Sequence, residues 1–71
     1  NNKEFYQVLQ TCLYHLPENT ARVFTMKEIL GFSSDEIREQ CGISHANYYT
    51  IMHRARETLR QCLQIKWFSH V

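Results

Sequence analysis

Proline occurs once and glycine twice in 71 residues, so the chain has only three strong interruption points, Pro17, Gly31 and Gly42. It has no internal repeat and no low-complexity tract, which excludes solenoid and fibrous architectures. No apolar run approaches the roughly 18 residues that a membrane span requires, and no charged, apolar, small-residue succession marks a secretory signal. The chain is therefore expected to have no membrane partner and to reside in the cytoplasm. Catalytic groupings are missing too. The sequence has no Ser-His-Asp or Cys-His arrangement on a plausible face, no paired carboxylates in an apolar setting and no glycine-rich phosphate loop. Neither enzymatic activity nor a cofactor is expected.

Cysteine is present but sparse. Cys12, Cys41 and Cys62 are an odd number and cannot all pair within the chain, and each stands where a helical pattern takes a small apolar residue. All three are predicted to be reduced thiols of the core. A zinc site needs about four ligands at close or paired spacings, and Cys41, His45 and His53 form neither a CxxC nor an HxxxH arrangement. No metal is expected.

What the chain does contain is 44% hydrophobic and 13% aromatic residues, enough for one globular domain. A domain this small buries only about 60% of its unfolded surface. Periodicity and punctuation predict an all-α, compact four-helix domain, with no wing, over residues 1–71. Helix one covers about residues 2–15, with Phe5, Leu9, Cys12 and Leu13 on a stripe that Leu16 continues, and His15 as a helix-end residue. Helix two, about 17–30, opens on Pro17 at the first-turn position, where a missing N–H costs nothing. Its apolar residues Ala21, Val23, Phe24, Met26, Ile29 and Leu30 spread over more than one face, which predicts a central or partnered helix. Helix three, about 33–41, starts with the capping box Ser33-x-x-Glu36 and stops at Gly42. Helix four, about 44–64, begins on Ser44 and carries the stripe Tyr48, Ile51, Met52, Ala55, Leu59, Cys62 and Leu63. Trp67 and Phe68 fall off that stripe, so the chain is expected to fold back over them or to offer them to another protein, and folding back is favoured because exposed rings promote self-association.

A short helix, a Gly-apolar turn at Gly42-Ile43 and a longer helix form a helix-turn-helix pattern, whose second helix enters the DNA major groove. Ile37, Cys41, Ile43, Tyr48 and Ile51 take the positions that lock the two helices. Arg38 departs from the pattern, because a small residue usually stands there, and it is expected to snorkel outward or to open the crossing slightly. The net charge of +1 is low for a nucleic-acid binder, but it is unevenly distributed. Residues 1–42 carry four cations against six carboxylates, a net of −2, and residues 43–71 carry four against one, a net of +3. The outward face of helix four shows Ala46, Tyr49, Thr50, His53, Arg54, Glu57 and Arg60, a set rich in groups that reach base edges or phosphates rather than in Glu and Lys.

The succession Leu16-Pro17, Ala21-Arg22-Val23-Phe24, Glu28-Ile29-Leu30-Gly31-Phe32-Ser33, Glu36-Ile37, Gly42-Ile43-Ser44 and His53-Arg54-Ala55-Arg56 with Leu59-Arg60 resembles region 4 of bacterial extracytoplasmic-function sigma factors. The resemblance spans about residues 16–63, and Arg54-Ala55-Arg56 is its most specific part. It departs at the start of the recognition helix, where Ser44-His45-Ala46-Asn47-Tyr48-Tyr49 replaces a Gly-Thr-Val-Lys-like run, and in the ending Lys66-Trp67-Phe68. It implies a specificity subunit of RNA polymerase that reads the minus-35 element of double-stranded promoter DNA, docks on the flap of the beta subunit, is restrained by an anti-sigma factor and acts on the nucleoid. The opening Asn1-Asn2, without an initiator methionine, fits a piece of a longer sigma factor whose region 2 lies upstream.

The expected DNA-binding residues are Ser44, His45, Asn47, Tyr49, Thr50, His53, Arg54 and Arg56. Ser44 caps the helix while the first-turn N–H groups, His45 and Asn47 suit phosphate. Tyr49, Thr50 and His53 face outward within one turn, and His53 is the first candidate for base contact. Arg54 lies at the edge, suited to phosphate or guanine. Arg56 is open to two roles, DNA contact or an ion pair with an acidic residue of helix two or three. Two other functions share parts of the pattern. One is the DNA-binding domain of a two-component or quorum-sensing regulator, against which Arg54-Ala55-Arg56 argues. The other is a helical protein-interaction module, which the near-neutral charge and the broad apolar surface of helix two favour.

Overall fold

A computed structural model describes residues 2–68. Within them the chain forms α1 (Asn2–Tyr14), α2 (Glu18–Phe24), α3 (Ser34–Cys41) and α4 (His45–Lys66), and α2 runs directly into a π-helical turn over Thr25–Ile29. No strand occurs among the described residues.

Each boundary has a local cause. After α1 the chain tightens through His15 N–H to Cys12 C=O and Leu16 N–H to Leu13 C=O, both 3.1 Å. Pro17 is the residue before α2 rather than its first helical residue, with φ −54° and ψ 149°, one position earlier than expected. The π turn closes with Leu30 N–H donating to Thr25 C=O at 3.0 Å, and Phe32 N–H reaches Met26 C=O at 2.9 Å across Gly31. At the start of α3 the reciprocal cap is complete, since Glu36 N–H donates to Ser33 Oγ and Ser33 N–H donates to Glu36 Oε1. The Ser33 backbone N–H, with the Ser33 hydroxyl beside it, holds the Glu36 carboxyl below the ordinary carboxylate range, because a donor to the ionised form stabilises it.

The core has two parts. Val23, Met26, Ile37, Tyr48 and Met52 bury together where α2, α3 and α4 meet, flanked by half-buried Cys41, Ile43 and Ile51. Cys12, Leu16, Ala55 and Leu59 bury together where α1 lies on α4. Phe24 packs against both clusters, so α2 joins the reading end of the domain to its base. The second helix is only partly covered. Val23 and Met26 are inside, whereas Ile29 and Leu30 are 53% and 61% exposed, so the expectation of cover on several sides fails at its C-terminal end.

Two further expectations need correction or refinement. Cys12 and Cys62 are not thiols but form a disulfide, with Cα atoms 5.8 Å apart across a sequence separation of 50. Counting cysteines established only that not all three pair. The stacking of α1 on α4 is what brings these two within bridging distance. Cys41 remains a free thiol, with its Sγ 3.9 Å from Met26 Sδ. In addition, α4 runs two residues beyond the expected end, to Lys66, which carries Trp67 back against α1. Its ring meets Phe5 edge-on at 5.4 Å. Phe68 is 56% exposed, so folding back describes Trp67 but not its neighbour.

Candidate nucleic-acid interface

The turn between α3 and α4 is built on backbone geometry. Gly42 adopts φ 65° and ψ 38°, a left-handed conformation that costs a residue with a Cβ about 1–2 kcal/mol. Arg38 C=O accepts from Gly42 N–H and, at 3.1 Å, from Ile43 N–H, so the last turn of α3 is capped and the chain reverses in two residues. A Cβ built on Gly42 meets nothing within 4 Å. Gly42→Ala is therefore expected to destabilise the domain by about 1 kcal/mol through backbone strain alone, seen as a lower urea midpoint at unchanged slope. An unchanged midpoint would remove the left-handed turn from this account.

Beyond the turn, Ser44 caps α4 by accepting from Asn47 N–H at 3.1 Å. The buried stripe of α4 is Tyr48, Met52, Ala55 and Leu59, and with about 3.6 residues per turn the opposite face carries Ala46, Thr50, His53 and Glu57. Asn47 and Arg54 flank that face on one side, and His45, Tyr49 and Arg56 flank it on the other. Ser44, His45, Asn47, Tyr49, Thr50, His53, Arg54 and Arg56 are all exposed.

Several of these groups already have partners. Thr50 Oγ1 donates to Ala46 C=O at 3.0 Å, which leaves its methyl group and its acceptor lone pairs to face outward. Tyr49 sits edge-on to both His45, at 4.7 Å, and Tyr48, at 5.4 Å. Of the two roles open to Arg56, the structure contains the ion pair, with its Nη2 3.7 Å from Glu28 Oε1 in the π-helical turn that follows α2. Both partners are substantially exposed, so the pair contributes little to stability. Burial pushes the Tyr48 hydroxyl up, and the nearby Arg56 charge opposes that rise. Arg60 Nη2 lies 2.9 Å from Glu57 Oε2, and this hydrogen bond holds the Glu57 carboxyl below its usual range. Among the described residues Arg54 makes no ion pair, so its guanidinium is available to an external anion.

Residue-by-residue reading missed one participant. Arg38 Nη1 lies 3.1 Å from Asp35 Oδ1 and 3.1 Å from His45 Nδ1, linking α3 to the first residue of α4. Its place as the one departure from the helix-turn-helix pattern was the available signal.

Residues 6–59 match the family described as sigma-70, region 4. The chain belongs to the sigma-70 region 4 family. A probable RNA polymerase sigma factor of Haemophilus influenzae is 40% identical over 63 residues, covering 89% of this chain and 32% of that protein. The chain thus spans about a third of the length of that relative. No solved structure matches it. Region 4 membership decides between the sigma reading and the two-component or quorum-sensing reading in favour of the first, and it makes α3, Gly42-Ile43 and α4 the helix-turn-helix of that region.

No helix among the described residues is long and apolar enough to cross a membrane. Nor do three or more His, Cys, Asp or Glu side chains gather there in a metal-binding group. Along the C-terminal half of α4, Leu9, Phe24, Leu59, Leu63 and Phe68 line an open, largely apolar groove of about 300 Å³, with Arg56 and Arg60 also lining it.

Proposed function

We propose that this chain reads double-stranded promoter DNA as region 4 of an extracytoplasmic-function sigma factor, with α4 in the major groove at the minus-35 element. The observation that carries the reading is the outward face of α4. In a region 4 chain, it presents Tyr49, Thr50, His53 and Arg54 beyond a capped two-residue turn. Side chains at its centre suit base edges, whereas Arg54 at the edge suits a phosphate. Ser44, His45 and Asn47 bring the first turn of α4 to the backbone, and Arg56 joins them if its bond to Glu28 opens.

The same reading gives the apolar groove and the exposed Ile29 and Leu30 to protein partners. The flap of the RNA polymerase beta subunit is the docking partner, and an anti-sigma factor competes for the exposed apolar surface. The work takes place in the cytoplasm, on the nucleoid. The alternative of a protein-interaction module without DNA contact rests on the same apolar groove, and it predicts that no duplex is preferred.

Selection of random duplexes at low salt, by the natural sequence and by single variants, tests the reading. Low salt is needed because a segment of net charge +3 makes few phosphate contacts. His53→Ala or Thr50→Ala is expected to relax preference at one or two base pairs by about 1–3 kcal/mol while leaving nonspecific binding nearly intact. Arg54→Ala is expected to weaken binding to most sequences and to make the salt slope shallower by about one unit. Equal weakening of every sequence by all three variants would assign this face to positioning and remove the base readers.

A further inference from the structure

Arg38 is out of place as a helix-turn-helix residue and carries a visible cost. Its Nε is buried without a hydrogen-bond partner, and an unmet buried donor is destabilising. Its Nη1, by contrast, is fully engaged, with one hydrogen directed to Asp35 and the other to His45 Nδ1. A guanidinium has donors only and is not deprotonated in proteins. The nitrogen it meets at 3.1 Å must therefore be the lone-pair nitrogen of the imidazole, which places the proton of the neutral ring on Nε2. The edge-on contact with Tyr49 at 4.7 Å fixes the ring from a second side. His45 itself is exposed and is the first residue of α4, the helix that enters the major groove in this kind of domain.

We propose that Arg38 is a positioning residue for DNA recognition: it holds His45 as the Nε2–H tautomer, so that His45 donates to an acceptor on the DNA. The inference rests on the promoter-reading function proposed above and adds to it the hydrogen-bond sense of one contact and the residue that sets it. Arg38 acts through His45, whereas a plain phosphate contact by Arg38 would act on its own. The acceptor is a phosphate oxygen or an acceptor on a base edge. A lost phosphate contact weakens all sequences alike, and a lost base contact relaxes preference at one base pair.

Two measurements test it. In imidazole-labelled protein without DNA, at about pH 8 where free histidine is neutral, proton–nitrogen correlation spectra should show His45 unprotonated at Nδ1 and protonated at Nε2. Arg38→Met should return the ring to a mixture of tautomers. Finding His45 as the Nδ1–H form in the unaltered chain overturns the proposal without any variant having to fold. The second measurement is a double-mutant cycle on the duplex that the unaltered chain selects from a random pool. Arg38→Met should weaken binding by about 5–10-fold, the loss of roughly one hydrogen bond, and by less than about 2-fold when His45→Ala is already present. Full additivity of the two substitutions would make Arg38 an independent contact and sink the inference while leaving promoter reading intact. If no duplex is selected at all, promoter reading falls and this inference falls with it.

Discussion

Reducing the Cys12–Cys62 bridge is expected to lower the thermal midpoint of this domain by more than about 10 °C. The bond closes a loop across 50 residues, most of the chain, and a loop of that length restricts the unfolded ensemble by about 4 kcal/mol in the chain-entropy account. A domain of this size has a net stability of only about 4–10 kcal/mol, and each kcal/mol moves its midpoint by about 4–8 °C. Reduction removes no heavy atom and only obliges the two sulphurs to separate to van der Waals contact, so most of the α1–α4 cluster around Cys12 is kept and the main loss is the cross-link. Thermal melts followed by circular dichroism, with and without a thiol reductant, supply the measurement. A Cys41→Ala variant serves as control, since Cys41 is the free thiol and its removal should leave the reductant effect in place. Equal midpoints in both conditions would show that the two sulphurs are not bridged in solution, and the reading of all three cysteines as thiols would return.

Ile37→Ala should cost about 2–5 kcal/mol, the range for truncating a fully buried aliphatic side chain. Ile37 has no exposed surface and shares its cluster with Val23 and Met26 of the second helical segment and with Tyr48 and Met52 of α4. Its loss therefore opens the one place where α3, α2 and α4 meet. The effect should reach DNA binding as well, because α3 carries Arg38 and the turn that aims α4, and a loosened α3 no longer fixes that aim. Urea unfolding should show a lower midpoint, and Ile37→Val, which removes one methyl group, should cost only about 0.5–1.5 kcal/mol. A loss below about 1 kcal/mol for the alanine variant would mean that the site collapses around the void and that Ile37 does not lock the helix pair.

The two experiments probe different ends of the domain. The disulfide lies in the α1–α4 seam, away from the reading face, so reduction at a temperature where the chain stays folded is expected to leave DNA preference unchanged. The Ile37 cavity lies directly beneath the helix-turn-helix. Phe24, which touches both clusters, is the physical link through which damage at one end reaches the other.

Most of the helical plan was legible in the sequence because its signals are local. Pro17, Gly31, Gly42 and the Ser33 and Ser44 caps act over one turn of chain, and their consequences depend on neighbours within about four residues. The stripe Tyr48, Met52, Ala55 and Leu59 was legible for the same reason, since helical period alone decides which residues share a face. Region 4 membership was legible because its motifs are short and ordered. What the tertiary structure alone decided involves residues far apart in the chain. Cys12 and Cys62 meet only because α1 stacks on α4. Trp67 turns inward only because α4 runs long enough to reach Phe5. Arg56 finds Glu28, and Arg38 finds His45, across helix packings that no periodicity encodes. Sequence patterns specify which face of each helix is apolar, but the pairing of polar groups at the edges of those faces depends on crossing geometry, and that geometry exists only once the helices have packed.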